Sequence, residues 1–492
     1  MRPLALAIIA GVLASAPGAQ PTPPPITPLR SGESYAYLAG RDTLAARERT
    51  AADALKYVPL GGAVWGGGAS FLTLAGEVRL RPEAVRNAAA VAGRDDGSVL
   101  WRAAASADVR LGDRLRVFGQ LYAATRTGAA FSDPVSRDDL SVHEAFAEAV
   151  VLDRPGARVT LNAGRQEHPL GSGRLIGLRE GPNVRLSFDA ARVLVDLGRP
   201  GAQTSVDAFV QRTVEVAPGA FDDGTVEGEA TWGAYATRPL GRGGVVLDGY
   251  YLGHDEDAAF GLRGPAPTTR HTVGVRLSTR PGAGPWEVDA EAAVQVGRTG
   301  GGGAPEGDVR AYLFGGGVAW TAAAVPLRPQ LGLLLDVASG DHDAADPDAQ
   351  GFVAPEPNNS YFGLAGVVGG FRNMVSLKPR LVLTADVLSG LTVTGSWSAY
   401  WRESRGDAAY GPSTRPVFPA PPPPGSPPTT AAPLPAERFV GHQPLVEATL
   451  QLTRYLGVTA HWERFEPGAF ARAAAPGAEA QTFWALQVLA RF

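Results

Sequence analysis

The chain ends Phe483-Trp484-Ala485-Leu486-Gln487-Val488-Leu489-Ala490-Arg491-Phe492, and this decapeptide limits the possible fold more than any other stretch. Trp484, Leu486, Val488, Ala490 and Phe492 fall on one face of an extended strand; Phe483, Gln487 and Arg491 fall on the other. A strand with one apolar side and one wet side suits a wall between lipid and water. A closing strand that stops on an aromatic is the usual end of a bacterial outer-membrane β-barrel. The other end of the chain agrees. Met1-Arg2 precede an apolar run from Leu4 to Ala14 and small residues through Ala19. That is the layout of a secretory signal peptide over 1–19, cleaved after Ala16 or Ala19, and its apolar run is too short to span a bilayer.

Composition narrows the class. Charged residues are 19% of the chain, below the roughly 25% of soluble proteins, while 45% are hydrophobic. After the signal no run of about 20 apolar residues occurs, so transmembrane helices are excluded. An exported chain that is half apolar but never continuously so is what alternation produces. Cysteine is absent, which excludes a lipid-anchored cysteine, disulfides and thiolate metal sites. The net charge of −4 gives no footprint for nucleic acid. Of 45 basic residues only Lys56 and Lys378 are lysines. That bias reflects GC-rich coding, so the position of an arginine is informative and the count is not.

Residues 20–70 read as a periplasmic lead, Pro-rich and flexible over 20–34, with a short helix over 41–56. The barrel then occupies 71–492. Alternating segments predict eighteen strands: 71–81, 99–111, 115–125, 142–152, 157–166, 190–197, 204–212, 228–237, 245–253, 269–279, 286–297, 309–321, 328–338, 375–387, 391–402, 443–453, 456–465 and 482–492. Each is long enough to cross a bilayer when tilted. Connections alternate between short and long. The long ones are 126–141, 213–227, 254–268, 298–308, 339–374 and 403–442. Short periplasmic turns opposite long extracellular loops are the pattern of an all-β transmembrane antiparallel barrel. Trp101, Trp232, Trp286, Trp397, Trp401, Trp462 and Trp484 are placed outward, where aromatic girdles meet the lipid interface.

Strand parity sends Arg79, Arg102, Arg110, Arg276, Arg380 and Arg402 inward. It does the same for Glu77, Asp108, Asp207, Asp248, Glu287, Asp289 and Glu291. Between 158 and 192 six arginines face only Glu167, Glu180 and Asp189, an excess of three positive charges. Guanidinium groups fork onto carboxylates and stay charged at any pH. The expected selectivity residues are therefore Arg165, Arg174, Arg179, Arg185 and Arg192, with Arg79, Arg102, Arg110 and Arg402. A lattice of arginine–carboxylate pairs that merely braces the wall is the competing reading. Gly171, Gly173, Gly177 and Gly181 suit an irregular loop folded into the pore, and this stretch is expected to be the fixed constriction. Loops 339–374 and 403–442, the latter with Pro421-Pro422-Pro423-Pro424, are expected to be looser outer lids. Asp341, Asp343, Asp346 and Asp348 form a weak Ca²⁺ candidate without EF-hand spacing, and a solvated acidic loop is the stronger reading. No cofactor is implied. No Gly-x-Ser-x-Gly or HExxH occurs, so no enzymatic reading is supported.

Residues 164–192 read GRQEHPLGSGRLIGLREGPNVRLSFDAAR. This stretch resembles the alginate-export porin family of Gram-negative outer membranes. Leu55-Lys56-Tyr57-Val58-Pro59-Leu60, Asp248-Gly249-Tyr250-Tyr251-Leu252-Gly253 and Tyr400-Trp401-Arg402-Glu403-Ser404-Arg405-Gly406-Asp407 add to the likeness, which spans about 53–492. Ala190-Ala191 departs from it, since an Asp-Gly turn is more usual after Phe188-Asp189. The resemblance implies an eighteen-stranded outer-membrane barrel that passes an anionic uronate polysaccharide. Implied partners are an anionic polysaccharide or oligosaccharide, outer-membrane lipid and periplasmic export proteins. The alternatives are a channel for other small anions and a non-selective general porin.

Overall fold

Strict alternation of side chains can be satisfied on both faces at once only if the sheet has lipid on one side and a polar interior on the other. The computed structural model describes residues 26–38, 52–62, 67–131, 134–199, 201–241, 243–259, 265–301, 304–343, 345–358, 360–385, 390–420 and 433–492. Eighteen strands form the wall. They are β1 (Ser70–Arg86), β2 (Asp96–Leu111), β3 (Leu115–Thr127), β4 (Asp138–Arg154), β5 (Ala157–Gln166) and β6 (Phe188–Leu197). Next come β7 (Thr204–Glu215), β8 (Glu229–Leu240), β9 (Val245–Ala259), β10 (Ala266–Thr279), β11 (Trp286–Gly301) and β12 (Ala304–Thr321). The last six are β13 (Gln330–Ala338), β14 (Met374–Ala385), β15 (Leu391–Trp401), β16 (Phe439–Gln451), β17 (Leu456–Pro467) and β18 (Gln481–Arg491).

Each strand pairs antiparallel with its neighbour in sequence, and β18 returns to β1 with Glu77 opposite Arg491 and Arg86 opposite Thr482. The sheet is closed, so no edge is left to pair with another chain. Phe492 finishes the seam: its N–H donates to the Gly76 carbonyl at 3.1 Å and its carbonyl accepts from Gly76 N–H at 3.2 Å. Val78, Leu80, Val273, Val294 and Leu331 are exposed on the outer face, while Glu77, Arg79, Asp248 and Arg276 are buried on the inner one. Trp101, Trp286, Trp397 and Trp484 are exposed on the outside as expected, and Trp320 joins them.

All eighteen expected strands are present. Two of the expected long loops are largely strand. β9 runs to Ala259 and β10 begins at Ala266; β11 runs to Gly301 and β12 begins at Ala304. The strands of these hairpins, 14 to 18 residues each, exceed the roughly 9–11 needed to cross the bilayer, so the hairpins stand proud of it. Both ends of the barrel sheet lie at the short-turn rim.

The lumen is not an open tube. Leu175 and Ile176 from the β5–β6 connection, Phe352, Phe362 and Phe371 from the β13–β14 connection, and Phe418 from the β15–β16 connection join Tyr400, Phe465 and Phe470 in one buried apolar cluster. The described parts of loops 339–374 and 403–442 are thus not loose lids: their aromatic residues give them an apolar core to enter, and they pack inward. Segment 26–38 departs from the flexible lead expected there. Arg30, Tyr35 and Leu38 are buried. Arg30 donates to the Phe492 carbonyl, Arg116 Nη2 donates to the Ser31 carbonyl at 2.6 Å, and Ser31 Oγ donates to Glu144 Oε1 at 3.1 Å. Of the helix expected over 41–56, one turn is seen at Asp53–Lys56. The rest of it, the signal peptide 1–19 and Pro421–Pro424 lie outside the described residues.

Candidate channel constriction

The β5–β6 connection, 167–187, is rich in glycine and proline and cannot form a ladder, so its backbone polar groups must find partners inside the barrel. It finds them on opposite walls. On one side Tyr122 Oη donates to the Asn183 carbonyl at 2.8 Å, and Asn183 Nδ2 donates to the carbonyls of Trp101, Thr125 and Ser136 at 3.0–3.1 Å. In the middle it zips onto the β13–β14 connection. Gly177 N–H donates to the Glu356 carbonyl, Glu356 N–H to the Leu175 carbonyl, and Asn358 N–H to the Gly173 carbonyl, at 2.8–2.9 Å. A Cβ on Gly177 would lie 2.6 Å from Asn358 N, so the approach needs glycine. Two connections thus cross the lumen as one unit.

Charge pairs fix this unit to the wall. Arg174 reaches the far side, with Nη1 2.7 Å from Asp289 and 3.0 Å from Glu291, and Nε 3.0 Å from Asp336. Gly315 leaves room for it, since a Cβ there would meet Arg174 Nε at 2.6 Å. Arg185 lies 2.6 Å from Glu167 and 2.8 Å from Glu180. Arg102 lies 2.6 Å from both Glu77 and Glu180, and Arg491 lies 2.6 Å from Glu77. Arg79 donates to the Glu180 and Pro182 carbonyls and to Asn183 Oδ1 at 2.9–3.1 Å. Arg165 pairs with Asp189 at 2.9 Å, Arg192 with Asp207, and Arg179 with Glu356. Burial alone would push the Glu180 carboxyl up, but Arg102, Arg185, Arg491 and Arg79 outweigh it and hold that carboxyl well below the usual range.

The expected arginines of the 158–192 window at 165, 174, 179, 185 and 192 therefore lie in the lumen, and the excess positive charge of that window meets wall carboxylates. Arg110 contacts Asp108 and the Glu33 carbonyl, both at 3.3 Å. Arg402 does not face the constriction. It donates to the carbonyls of Arg405, Asp407, Pro435 and Glu437 and stacks 3.7 Å from the Phe470 ring, stapling the β15–β16 connection. Asp341, Asp343, Asp346 and Asp348 accept backbone N–H bonds at 2.9–3.2 Å within or beside their own loop. No group of three or more metal-ligating side chains occurs among the described residues.

Three lumen cations differ from the rest, and one of them, Arg270, donates to Gln295 Oε1 and the Gly351 carbonyl at 3.4 and 3.2 Å with no ion pair among the described residues. Lys378 Nζ donates to the Tyr361 carbonyl and Arg380 Nη2 to Gln330 Oε1, each at 3.2 Å. Among the described residues neither forms an ion pair, and Arg380 Nε has no hydrogen-bond partner. Arg380 lines a cavity of about 140 Å³ with Arg276, Ser278, Asp289 and Tyr361. Lys378 and Arg380 alternate on one face of β14. Sequence parity identified Arg380 but did not rank it above the motif arginines, and it passed over Lys378.

A closed eighteen-stranded barrel with a lipid-facing apolar belt and a polar, constricted lumen is an outer-membrane channel of the porin type. A family model for alginate export matches residues 70–485, and the chain belongs to that family. Solved structures with the same fold include Pseudomonas aeruginosa OccK8 (OprE), at 12% identity and TM-score 0.53 over 86% of this chain and 98% of that one. OccK2 (OpdF) gives 12% and 0.54 over 85% and 97%, and OpdK with vanillate gives 13% and 0.52 over 85% and 98%. No curated protein matches the chain.

Proposed function

We propose that this barrel is an anion-preferring channel for an acidic polysaccharide or oligosaccharide of the uronate class, alginate among them. The observation that carries the reading is Arg380, a lumen cation that forms no ion pair among the described residues and lines a cavity with Glu287 and Asp289, with Lys378 two residues before it on the same face of β14. Family membership supplies the polymer class. Among the fold neighbours OpdF has been solved with glucuronate and OpdK with vanillate, both carboxylates. In this reading Arg165, Arg174, Arg179, Arg185, Arg192, Arg79 and Arg102 set the shape of the constriction, and the free charge that meets cargo comes from β14. Fixed cations in a low-dielectric wall favour anions as cation-lined pores do. The test is planar-bilayer recording. The reversal potential in a salt gradient should report anion preference, and oligouronates should block the current where neutral oligosaccharides of equal length do not. A cation-preferring pore would defeat the reading. Anion preference with no oligouronate block would favour a channel for other small anions, and no preference at all a general porin.

A further inference from the structure

The two rims of the barrel carry opposite charge. Taken with the strand residue at either end, the eight short connections hold seven arginines and two aspartates. Leaving out the β5–β6 and β13–β14 connections, which cross the lumen, the seven connections at the other rim, counted the same way, hold nine arginines and thirteen carboxylates. One rim is in excess by five positive charges and the other by four negative ones. A coding bias toward arginine acts on both rims alike and does not produce opposite signs.

The positive rim is built from a repeated turn. Arg154-Pro155-Gly156-Ala157, Arg199-Pro200-Gly201-Ala202 and Arg280-Pro281-Gly282-Ala283 are the same tetrapeptide at three connections. Proline presets the first turn residue, and the glycines take the positive φ of +82°, +86° and +74° that such a turn requires. Ala202 N–H donates to the Arg199 carbonyl at 3.0 Å and Ala283 N–H to the Arg280 carbonyl at 3.2 Å, closing two of the turns. The geometry thus rests on Pro, Gly and the backbone, and places no demand on the arginine side chain. Arg154 and Arg199 are exposed, Arg280 is half-buried with a buried Nε that has no hydrogen-bond partner, and none of the three forms an ion pair among the described residues. Arg280 follows the lumen-facing Arg276 and Ser278 at the same strand parity and stands between Thr279 and Pro281, which line the Arg380 cavity.

We propose that the short-turn rim is a capture ring for a polyanionic polymer, with Arg154, Arg199 and Arg280 as its repeating contacts; this rests on the reading of the barrel as a polyanion channel. Exposed like charges around a mouth raise the local concentration of an opposite polymer and its rate of arrival. Arg280 then continues to Arg276 and Arg380 inside the lumen, while the negative far rim offers an emerging polyanion nothing to hold it. A lipid-phosphate role would need the arginines on the outer face. Arg154 follows the outward Leu152 and Arg199 the outward Leu197 at that parity, while Arg280 follows the lumen-facing Arg276 and Ser278. Arg280 therefore carries the polymer assignment, and vesicles of anionic and neutral lipid separate the two roles for the other pair.

The test uses the full chain in planar bilayers at known orientation, comparing wild type with the triple variant Arg154→Gln, Arg199→Gln, Arg280→Gln. Polyuronate fragments and poly-glutamate are added to each side in turn. The rate of blocking events from the short-turn side should fall about tenfold at low salt. The rate from the loop side and the reversal potential should stay at wild-type values. Arg199→Gln alone, read separately in case the triple variant fails to insert, should lower the short-turn rate about twofold. Equal losses from both sides, or no loss, would overturn the ring. So would unchanged capture with lower heat stability in anionic but not neutral lipid vesicles, which would assign the rim to lipid phosphate. If wild type ignores polyuronate yet captures poly-glutamate faster from the short-turn side, and the variant loses that advantage, the uronate reading fails and the ring stands.

Discussion

The arginines of the constriction and those of the short-turn rim are the same residue in opposite circumstances. Arg174 and Arg185 are buried and each is held by two or more carboxylates. Arg154 and Arg199 are exposed on proline–glycine turns. A guanidinium engaged by carboxylates on both sides contributes position, because its field is cancelled locally. One standing in solvent contributes a field, because nothing nearby cancels it. Charge alone therefore does not predict which arginines an anion meets; the pairing does. Lys378 and Arg380 lie between the two cases, inside the wall but unpaired with acid.

The largest effect that could break this comparison is at Arg185. Arg185→Met takes an arginine from the buried Glu167, which keeps His143 at 2.8 Å, and from Glu180, which keeps Arg102 and Arg491. Removing one partner of a buried pair costs about 3–5 kcal/mol, and the remaining partners set the loss at the lower end. The barrel should lose heat stability by that order and its conductance should rise as the 167–187 connection loosens. Unchanged stability would mean that the pair is ornamental and that Arg185 is free to bind cargo. Next in size is Arg380→Gln. If Arg380 meets a carboxylate, the lost charge-assisted hydrogen bonds are worth about 1.5–3 kcal/mol, which is roughly ten- to a hundredfold in the dissociation constant for an oligouronate. Heat stability should barely move, and a variant that blocks as well as wild type would remove β14 from the cargo path.

Acid sharpens the comparison further. Glu180 has its folded value held well below normal by four arginines that outweigh its burial. A lowered folded value contributes stability that is present above the unfolded value of about 4.3 and is lost only as pH falls through the folded one. Conductance should thus stay level from neutral pH through the ordinary carboxylate range, and the constriction should loosen only in stronger acid. A step in conductance centred at the ordinary carboxylate value would show that the arginines do not hold Glu180 as the geometry implies.

The wall was legible in the sequence because lipid on one side and water on the other force a period of two, and Val78, Arg79 and Leu80 report it directly. Strand ends were less legible. The β9–β10 and β11–β12 hairpins continue past the bilayer, where no apolar belt marks them. The constriction was half legible. Glycines at 173 and 177 betrayed an irregular segment, and its local excess of three positive charges marked its arginines. Their acid partners could not be read, because Asp289, Glu291 and Asp336 lie over a hundred residues away and meet Arg174 only when the barrel closes. The inward packing of Phe352, Phe362 and Phe371 was missed for a related reason: loop aromatics without alternation give no periodic signal, and only the closed lumen supplies the surface they bury.

The smallest expected effect is the stability change on Arg199→Gln, and it is the sharpest control on the comparison. The turn at 199–202 is closed by the Ala202-to-Arg199 backbone hydrogen bond with Gly201 at positive φ, so the side chain at its first position bears no structural demand. Surface changes of this kind usually stay within about 0.5 kcal/mol. Salt should separate the two regions in the same way. The screening length falls from about 10 Å at 0.1 M to about 3 Å at 1 M for exposed charges, while buried pairs are screened much less. Unfolding midpoints of wild type and Arg199→Gln should therefore coincide at low salt and again at high salt, while polymer capture by wild type weakens steeply over the same range. A variant that unfolds distinctly earlier, or a wild type that softens in salt along with its capture rate, would make the rim arginine a structural residue. The distinction between paired arginines that hold shape and unpaired ones that project a field would then not apply to this barrel.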